Sequence, residues 1–176
     1  MGRPVTTITL MLGAVFLAGC SASIHIGSSR TIDPAVIEDS ISRQLQDHYP
    51  GLRVDSVTCP KDVKPAEGLT FQCTAKFEGA QAPFTVTLRD VNTSRGDFDY
   101  STEPVKAILD INKAVKVLKS RLQDQAPNAK VGCGTARHRV VEVGGAIECT
   151  ISEGGKREVV RLVAEDVNGS FHFEQG

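Results

Sequence analysis

Two halves of the chain carry the same series of residues in the same order, and this duplication limits the folds open to the 176-residue sequence. Each half has a valine two positions before one cysteine, and a glycine five positions before a second cysteine, which a threonine follows. The matching residues are Val57, Cys59, Gly68, Cys73 and Thr74 in the first half, and Val131, Cys133, Gly144, Cys149 and Thr150 in the second. Asp-Val-Asn at 90–92 also recurs at 166–168. The sequence therefore predicts a tandem duplication.

The four cysteines of the duplicated segments can pair in three ways, and their number alone does not choose among them. The duplication favours one disulfide within each half, Cys59–Cys73 and Cys133–Cys149. A domain the size of one half buries little surface and usually needs such a cross-link. Closing a loop of this length contributes roughly 3 kcal/mol in the chain-entropy model. No Cys-x-x-Cys occurs, so a zinc or redox site is disfavoured.

The periodicity of apolar residues predicts one helix and several strands in each half. Asp33 and Pro34 are typical of a helix start, and Ile37, Ile41 and Leu45 recur at helical spacing. In the second half a longer helix is predicted to start at Pro104, with the stripe Ile108, Ile111, Val115, Leu118 and Leu122. After each helix the apolar period becomes two, which is typical of strands with one buried face. The alternating apolar residues Phe84, Val86 and Leu88 of the first half align with Val160, Leu162 and Ala164 of the second half.

The predicted fold class is therefore α+β, with two tandem repeats that each pack one helix on a four-stranded antiparallel meander. The first repeat is placed at residues 34–101 and the second, with the long helix, at 102–176. The two Asp-Val-Asn segments are predicted to form turns, because Asp, Asn and Gly tolerate positive φ.

The N-terminus has the features of an export signal. One arginine precedes an apolar stretch from Ile8 to Ala18, which is short for a membrane span. Leu17-Ala18-Gly19-Cys20 resembles the lipobox of bacterial lipoproteins. That resemblance implies removal of residues 1–19 and lipidation of Cys20, and it accounts for the fifth cysteine. Residues 20–33 are then expected to be the lipidated cysteine and a flexible tether, because they are small and polar.

The doubled pattern of helix, Val-x-Cys, Gly-x4-Cys-Thr and Asp-x-Asn turn also resembles a known family. It is similar to a small two-cysteine domain of unknown function found in actinobacterial, mycobacterial-type envelope lipoproteins. The resemblance covers roughly residues 33–101 and 104–175. It implies an exported, lipid-anchored protein at the extracytoplasmic face of the cell membrane. It implies no catalytic residue and no cofactor, since the family carries no known activity.

Composition and motifs argue against several functional classes. The formal net charge is -1, so nucleic-acid binding is not expected. The four histidines, at positions 25, 48, 138 and 172, follow no metal-ligand spacing and do not match between the halves. No Gly-x-Ser-x-Gly nucleophile motif occurs. We therefore expect no metal, no cofactor and no enzymatic activity.

Two segments between paired cysteines are the candidate binding loops, Pro60–Gly68 and Gly134–Gly145. Loops held on a rigid scaffold are frequent binding sites. Their basic residues are Lys61 and Lys64 in the first, and Arg137, His138 and Arg139 in the second. We expect the two loops to lie on the same side of each repeat, where they would form a locally basic end. Solvated hairpin loops without a binding role are the alternative.

The sequence thus predicts a lipid-anchored, non-enzymatic envelope protein that binds an unidentified envelope protein or small ligand. One alternative is an inhibitor of secreted or envelope hydrolases, because the predicted layout is similar to that of the β-lactamase inhibitory protein. This is an analogy of architecture, and a fold does not fix a function. The other alternative is a structural spacer at the membrane.

Overall fold

The computed structural model describes residues 24–25 and 31–176, which form two helices and eleven strands. The strands are β1 (Ile24–His25), β2 (Val54–Thr58), β3 (Thr70–Phe77), β4 (Ala80–Asn92), β5 (Asp97–Pro104), β6 (Ala107–Asp110), β7 (Lys130–Gly132), β8 (His138–Val141), β9 (Ala146–Glu153), β10 (Lys156–Ala164) and β11 (Phe171–Gln175). The helices are α1 (Pro34–His48) and α2 (Ile111–Leu122). The class is α+β, and every strand pair is antiparallel.

The first lobe consists of α1 and a five-stranded sheet in the order β1-β5-β4-β3-β2. Helix α1 begins where the sequence predicts, because the Asp33 carboxylate accepts a hydrogen bond from the Ala35 N–H at 3.0 Å and Pro34 is its first residue. The predicted stripe of Ile37, Ile41 and Leu45 is buried. It packs on the inner face of the sheet, whose buried side chains include Cys73, Ala75, Phe77, Phe84, Val86 and Leu88.

The expected tether at 20–33 is only partly in agreement with the structure. Ile24 and His25 form β1, which pairs with Phe98 and Asp97 at the edge of the first sheet. Ile32 is buried, and its N–H donates to the Val63 carbonyl at 2.9 Å. The tether prediction is therefore wrong at these positions, because small polar composition does not prevent short edge pairing. Residues 1–23 and 26–30, including the predicted lipidation site, lie outside the described residues.

The second lobe consists of α2 and a four-stranded sheet in the order β11-β10-β9-β7. Its inner face carries the predicted alternation, with Ile147, Cys149 and Ile151 on β9 and Val160, Leu162 and Ala164 on β10 all buried. The α2 side chains Ile111, Ala114 and Leu118 cover this face. The structure contains both predicted disulfides, Cys59–Cys73 in the first lobe and Cys133–Cys149 in the second.

The predicted long helix from Pro104 is wrong in its first part. Strand β5 continues to Pro104, Ala107–Asp110 forms β6, and α2 begins only at Ile111. Asp110 caps this helix, since its carboxylate accepts from the Lys113 N–H at 3.0 Å. Ile108 falls on the helical apolar stripe, but it is buried as part of a strand, so its place in that spacing is coincidental.

Strands β6 and β8 form a two-stranded ribbon that is shared by the hydrophobic cores of the two lobes. Side chains of a strand point alternately to opposite faces. Ile108 and its cross-strand partner Val140 pack into the first core, whereas Ala107, Leu109 and Val141 pack into the second. Three consecutive residues, 107–109, are therefore almost fully buried.

Truncating the ribbon side chain that enters the first core should destabilise the protein. Ile108 is 1% exposed, so Ile108→Ala leaves a cavity, and we expect a loss of about 3 kcal/mol of unfolding free energy. The measurement is urea unfolding followed by circular dichroism. Val105→Ala is the control, because Val105 is 39% exposed and its change should stay within about 0.5 kcal/mol. Equal effects of the two substitutions would contradict the packing described for the ribbon.

Candidate functional site

The first candidate loop, Pro60–Gly68, is exposed at Lys61 and Lys64 and lies against the N-terminal end of α1. The Cys59 N–H donates to the Glu38 carboxylate at 2.8 Å, and the Val63 carbonyl accepts from Ile32. At its other end, the Glu67 carboxylate accepts from the Val91 N–H at 2.9 Å. The loop is thus attached to helix and sheet on both sides, while its two lysines face solvent.

The second candidate segment, Gly134–Gly145, is only partly a loop, because it contains strand β8. Arg137 and Arg139 are exposed, but His138 is 3% exposed and lies between the lobes. Its Nδ1 is hydrogen-bonded to the Glu78 carboxylate at 3.1 Å. The expectation that His138 belongs to an accessible basic loop is therefore wrong, since alternation along β8 turns it toward the first lobe.

The basic residues of the two segments do not come together. The first loop lies by the N-terminal end of α1, whereas Arg137 lies over Gly51, just beyond the C-terminal end of that helix. A Cβ at Gly51 would be 3.2 Å from the Arg137 Nη2 atom. A helix of 15 residues is about 22 Å long, which separates the two groups. The expected single basic end is not formed.

The lobes meet instead at a polar junction centred on Tyr49, the residue that follows α1. The Tyr49 hydroxyl donates to the Ile108 carbonyl of the ribbon at 2.9 Å. Its ring also packs edge-on against the His138 ring, with centroids 5.7 Å apart. One buried tyrosine therefore contacts both strands of the ribbon.

A turn of the second lobe completes the junction. The Asp166 carboxylate accepts from the Asn168 and Ser170 N–H groups at 2.8 and 3.0 Å, which closes the predicted Asp-x-Asn turn. His48 Nε2 is 3.3 Å from the Asn168 carbonyl. Gly169, with φ 82°, is so close to the ribbon that a Cβ there would be 2.5 Å from the Ile108 carbonyl oxygen. Only glycine fits this contact.

Burial, neighbouring charges and hydrogen bonds shift the pKa values of two groups at the junction, Tyr49 and Asp166. Burial, together with the negative charges of Asp166 and Asp110, raises the pKa of Tyr49 to about 12. Burial also acts to raise the pKa of Asp166, but hydrogen bonds from Ser170, Asn168 and Gly169 outweigh it and leave this pKa below its usual value. The junction thus holds a neutral tyrosine beside an ionised aspartate.

Three of the histidines in residues 31–176 have polar contacts within the fold. His48 contacts Asn168, His138 contacts Glu78, and His172 contacts Glu165 and Glu174. Within residues 31–176, no group of three or more His, Cys, Asp or Glu side chains is arranged to hold a metal ion. Neither described helix is long and apolar enough to cross a membrane.

Sequence reasoning missed Tyr49, Glu78 and Gly169 as junction residues. The recurring Asp-Val-Asn segments signalled two turns, but not that the second turn would lie against the end of α1. Glu78 is in a two-residue turn with Gly79 between β3 and β4, at φ 49° and 78°. No local pattern links such a turn to a histidine 60 positions away.

Comparison with known protein families identifies part of the chain. Residues 15–93 match a domain of unknown function, DUF4333. The match includes α1 and strands β2 to β4, and it ends in the turn before β5. No curated protein and no solved structure matches the chain.

Removing the Tyr49 hydroxyl should weaken the junction. Tyr49→Phe leaves the buried Ile108 carbonyl without this donor, and we expect a loss of about 1 kcal/mol of unfolding free energy at neutral pH. Because the folded-state pKa of Tyr49 is raised from 10.0 to about 12, its stabilising effect is fully present below pH 10 and declines between pH 10 and 12. The difference between the wild-type chain and the variant in urea titrations should therefore shrink as the pH rises through this range. It should reverse near the upper end, because two pKa units correspond to roughly 3 kcal/mol.

Tyr100→Phe is the matched control. Tyr100 is 2% exposed, and its hydroxyl has no hydrogen-bond partner among the residues that the structure describes. Removing an unpaired buried hydroxyl should leave stability unchanged or raise it. A Tyr49→Phe chain as stable as the Tyr100→Phe chain would contradict the role given to Tyr49.

Proposed function

We propose that the chain is an exported lipoprotein, anchored by lipid at Cys20 to the extracytoplasmic face of the cell membrane. There it serves as a non-enzymatic module that binds another envelope component. The observation that carries the proposal is the pair of disulfides, one inside each lobe. Structural disulfides are typical of exported proteins. Residues 1–20, with a short apolar segment and Leu-Ala-Gly-Cys, supply the matching export and lipidation signals.

The proposal includes a tandem duplication. In support, the sheet orders β5-β4-β3-β2 and β11-β10-β9-β7 correspond strand by strand if β8 is counted as an insertion. The two disulfides also correspond, since one cysteine follows β2 or β7 and the other lies within β3 or β9. Helix α1 precedes the first of these sheets and α2 the second. The ribbon β6–β8 is then the element that distinguishes the second copy and attaches it to the first.

A binding role is supported by the different positions of the two inter-cysteine segments, since one is part of the junction and the other is exposed. The second segment contributes β8 and His138 to the junction, whereas the first leaves Lys61 and Lys64 exposed. The first loop is held by the disulfide and by Glu38 and Glu67, so it is presented in a fixed conformation. A fixed loop costs less ordering entropy on binding. In this proposal the exposed ammonium groups of Lys61 and Lys64 contact carboxylates of the partner, although the loop also exposes Asp62 and Glu67.

Lipidation predicts a defined chemical change at Cys20. We expect the chain extracted from the membrane of a lipoprotein-processing bacterium to lack residues 1–19 and to carry acyl chains on Cys20. Mass spectrometry of the intact chain measures both, together with the hydrogens lost to two disulfides. Cys20→Ala should leave the chain without lipid and Ser21→Ala should not. An unmodified Cys20 thiol in the membrane fraction would refute the anchor.

Charge reversal in the first loop tests the binding role. We expect Lys61→Glu with Lys64→Glu to reduce crosslinking of the membrane-anchored chain to its neighbours in cells by about tenfold. The matched control reverses two exposed lysines of α2, Lys113→Glu with Lys116→Glu, which give the same net charge. Equal crosslinking by both double variants would favour a spacer over a binding module.

A further inference from the structure

Strand β11 is an open edge of the second sheet. It pairs with β10, and no other strand among the described residues pairs with it. The corresponding edge of the first sheet, at β5, is covered in part by β1. An unpaired edge offers a row of backbone N–H and C=O groups to another strand.

The ladder between β10 and β11 determines which groups point outward. The Gly176 N–H donates to the Val159 carbonyl at 3.2 Å, and the Glu165 N–H to the Ser170 carbonyl at 2.8 Å. Directly opposed residues of an antiparallel pair alternate between hydrogen-bonded and non-hydrogen-bonded positions. His172 and Glu174 therefore bond to Val163 and Arg161 of β10. The N–H and C=O groups of Phe171, Phe173 and Gln175 consequently point to the open edge.

We propose that β11 binds β11 of a second copy of this chain, antiparallel and centred on Phe173. In this register Phe173 opposes its own copy, and Phe171 opposes Gln175. These are the residues with outward-pointing groups, so six backbone hydrogen bonds form and each outward group is used. The two four-stranded sheets become one continuous eight-stranded sheet with two-fold symmetry.

The side chains of β11 favour this register over its neighbours. In the centred register His172 opposes Glu174 of the second copy, at the non-hydrogen-bonded positions where side chains are closest. A shift by two residues in one direction opposes His172 to His172, and a shift in the other direction opposes Glu174 to Glu174. Both shifts also lose backbone hydrogen bonds. Charge complementarity and backbone pairing therefore select the same arrangement.

Local charges support the pairing of His172 with a carboxylate. Hydrogen bonds to Glu174 and Glu165 raise the pKa of His172 above its usual value, which favours the imidazolium form. Both ring nitrogens and the Glu174 carboxylate are on the outer face of the sheet, with side chains 43% and 45% exposed. They are accessible to a second strand at the same edge.

Two other open edges of the described chain, at β7 and β2, are less suited to a partner strand. Strand β7 has three residues, and β2 has a register shift between Val54 and Ser56. Short strands and irregular pairing are recognised ways of protecting an edge. Strand β11 has five residues paired with β10 without a shift.

The test is sedimentation equilibrium of the full chain in density-matched detergent, over a range of concentrations. We expect a reversible monomer–dimer equilibrium. Gln175→Pro removes an outward N–H without removing a bond to β10, so it should abolish the dimer while leaving the fold intact. Gln175→Ala keeps that N–H and should dimerise normally. A monomer at all concentrations, or a dimer that Gln175→Pro does not affect, would overturn the proposal.

The register is tested by a charge exchange. His172→Glu opposes two carboxylates and Glu174→His opposes two imidazoles, so each should weaken the dimer by about tenfold. The double variant restores unlike pairs and should recover most of the affinity. Residue-resolved hydrogen exchange should also protect the amides of Phe171, Phe173 and Gln175 only in the dimer. A double variant as weak as the single variants, or unprotected amides in the dimer, would overturn the pairing of β11 with β11.

Discussion

The ribbon β6–β8 joins the two lobes, because its side chains alternate between two hydrophobic cores. Ile108 and Val140 complete the first core, and Ala107, Leu109 and Val141 complete the second. A two-stranded ribbon is marginal by itself in water, so it depends in turn on both lobes. Each core includes side chains of the ribbon, so we expect the two lobes to unfold together.

Polar contacts define how the lobes are oriented about this shared element. The Tyr49 hydroxyl binds the Ile108 carbonyl, and His138 is hydrogen-bonded to Glu78. Gly169 permits the second lobe to approach the same carbonyl. Buried hydrogen bonds contribute modestly to stability, but they are directional and are costly to leave unmade. They therefore favour one relative orientation, and the candidate loop and the β11 edge keep fixed positions on the molecule.

Much of the fold could be predicted because the duplicated pattern is local. The alternation of Phe84, Val86 and Leu88, and of Val160, Leu162 and Ala164, identified the buried faces of β4 and β10. The start of α1 was predictable because Asp33 and Pro34 act within one turn of the helix. The duplication also selected the two disulfides from three possible pairings.

The rest depended on contacts between distant residues. In 107–109, burial on both faces produces consecutive apolar residues, and these fit a helical stripe as well as a strand. Asp110 was a local signal for the true start of α2, but it competed with Pro104, which is also typical of a helix start. His138 has a glycine nearby and an arginine on each side, which is typical of an exposed loop. Its contacts with Tyr49 and Glu78, both distant in sequence, bury it instead. The candidate site was correspondingly predictable at Lys61 and Lys64 and not at the junction.

Residue-resolved native-state hydrogen exchange tests the shared ribbon most directly. If one ribbon serves both cores, the amides of Ile41 in the first lobe, Leu162 in the second and Leu109 in the ribbon should exchange only through the same global unfolding, with equal free energies and equal dependence on denaturant. A second lobe that opens at lower free energy, while Leu109 and Ile41 remain protected, would contradict a ribbon shared by both cores.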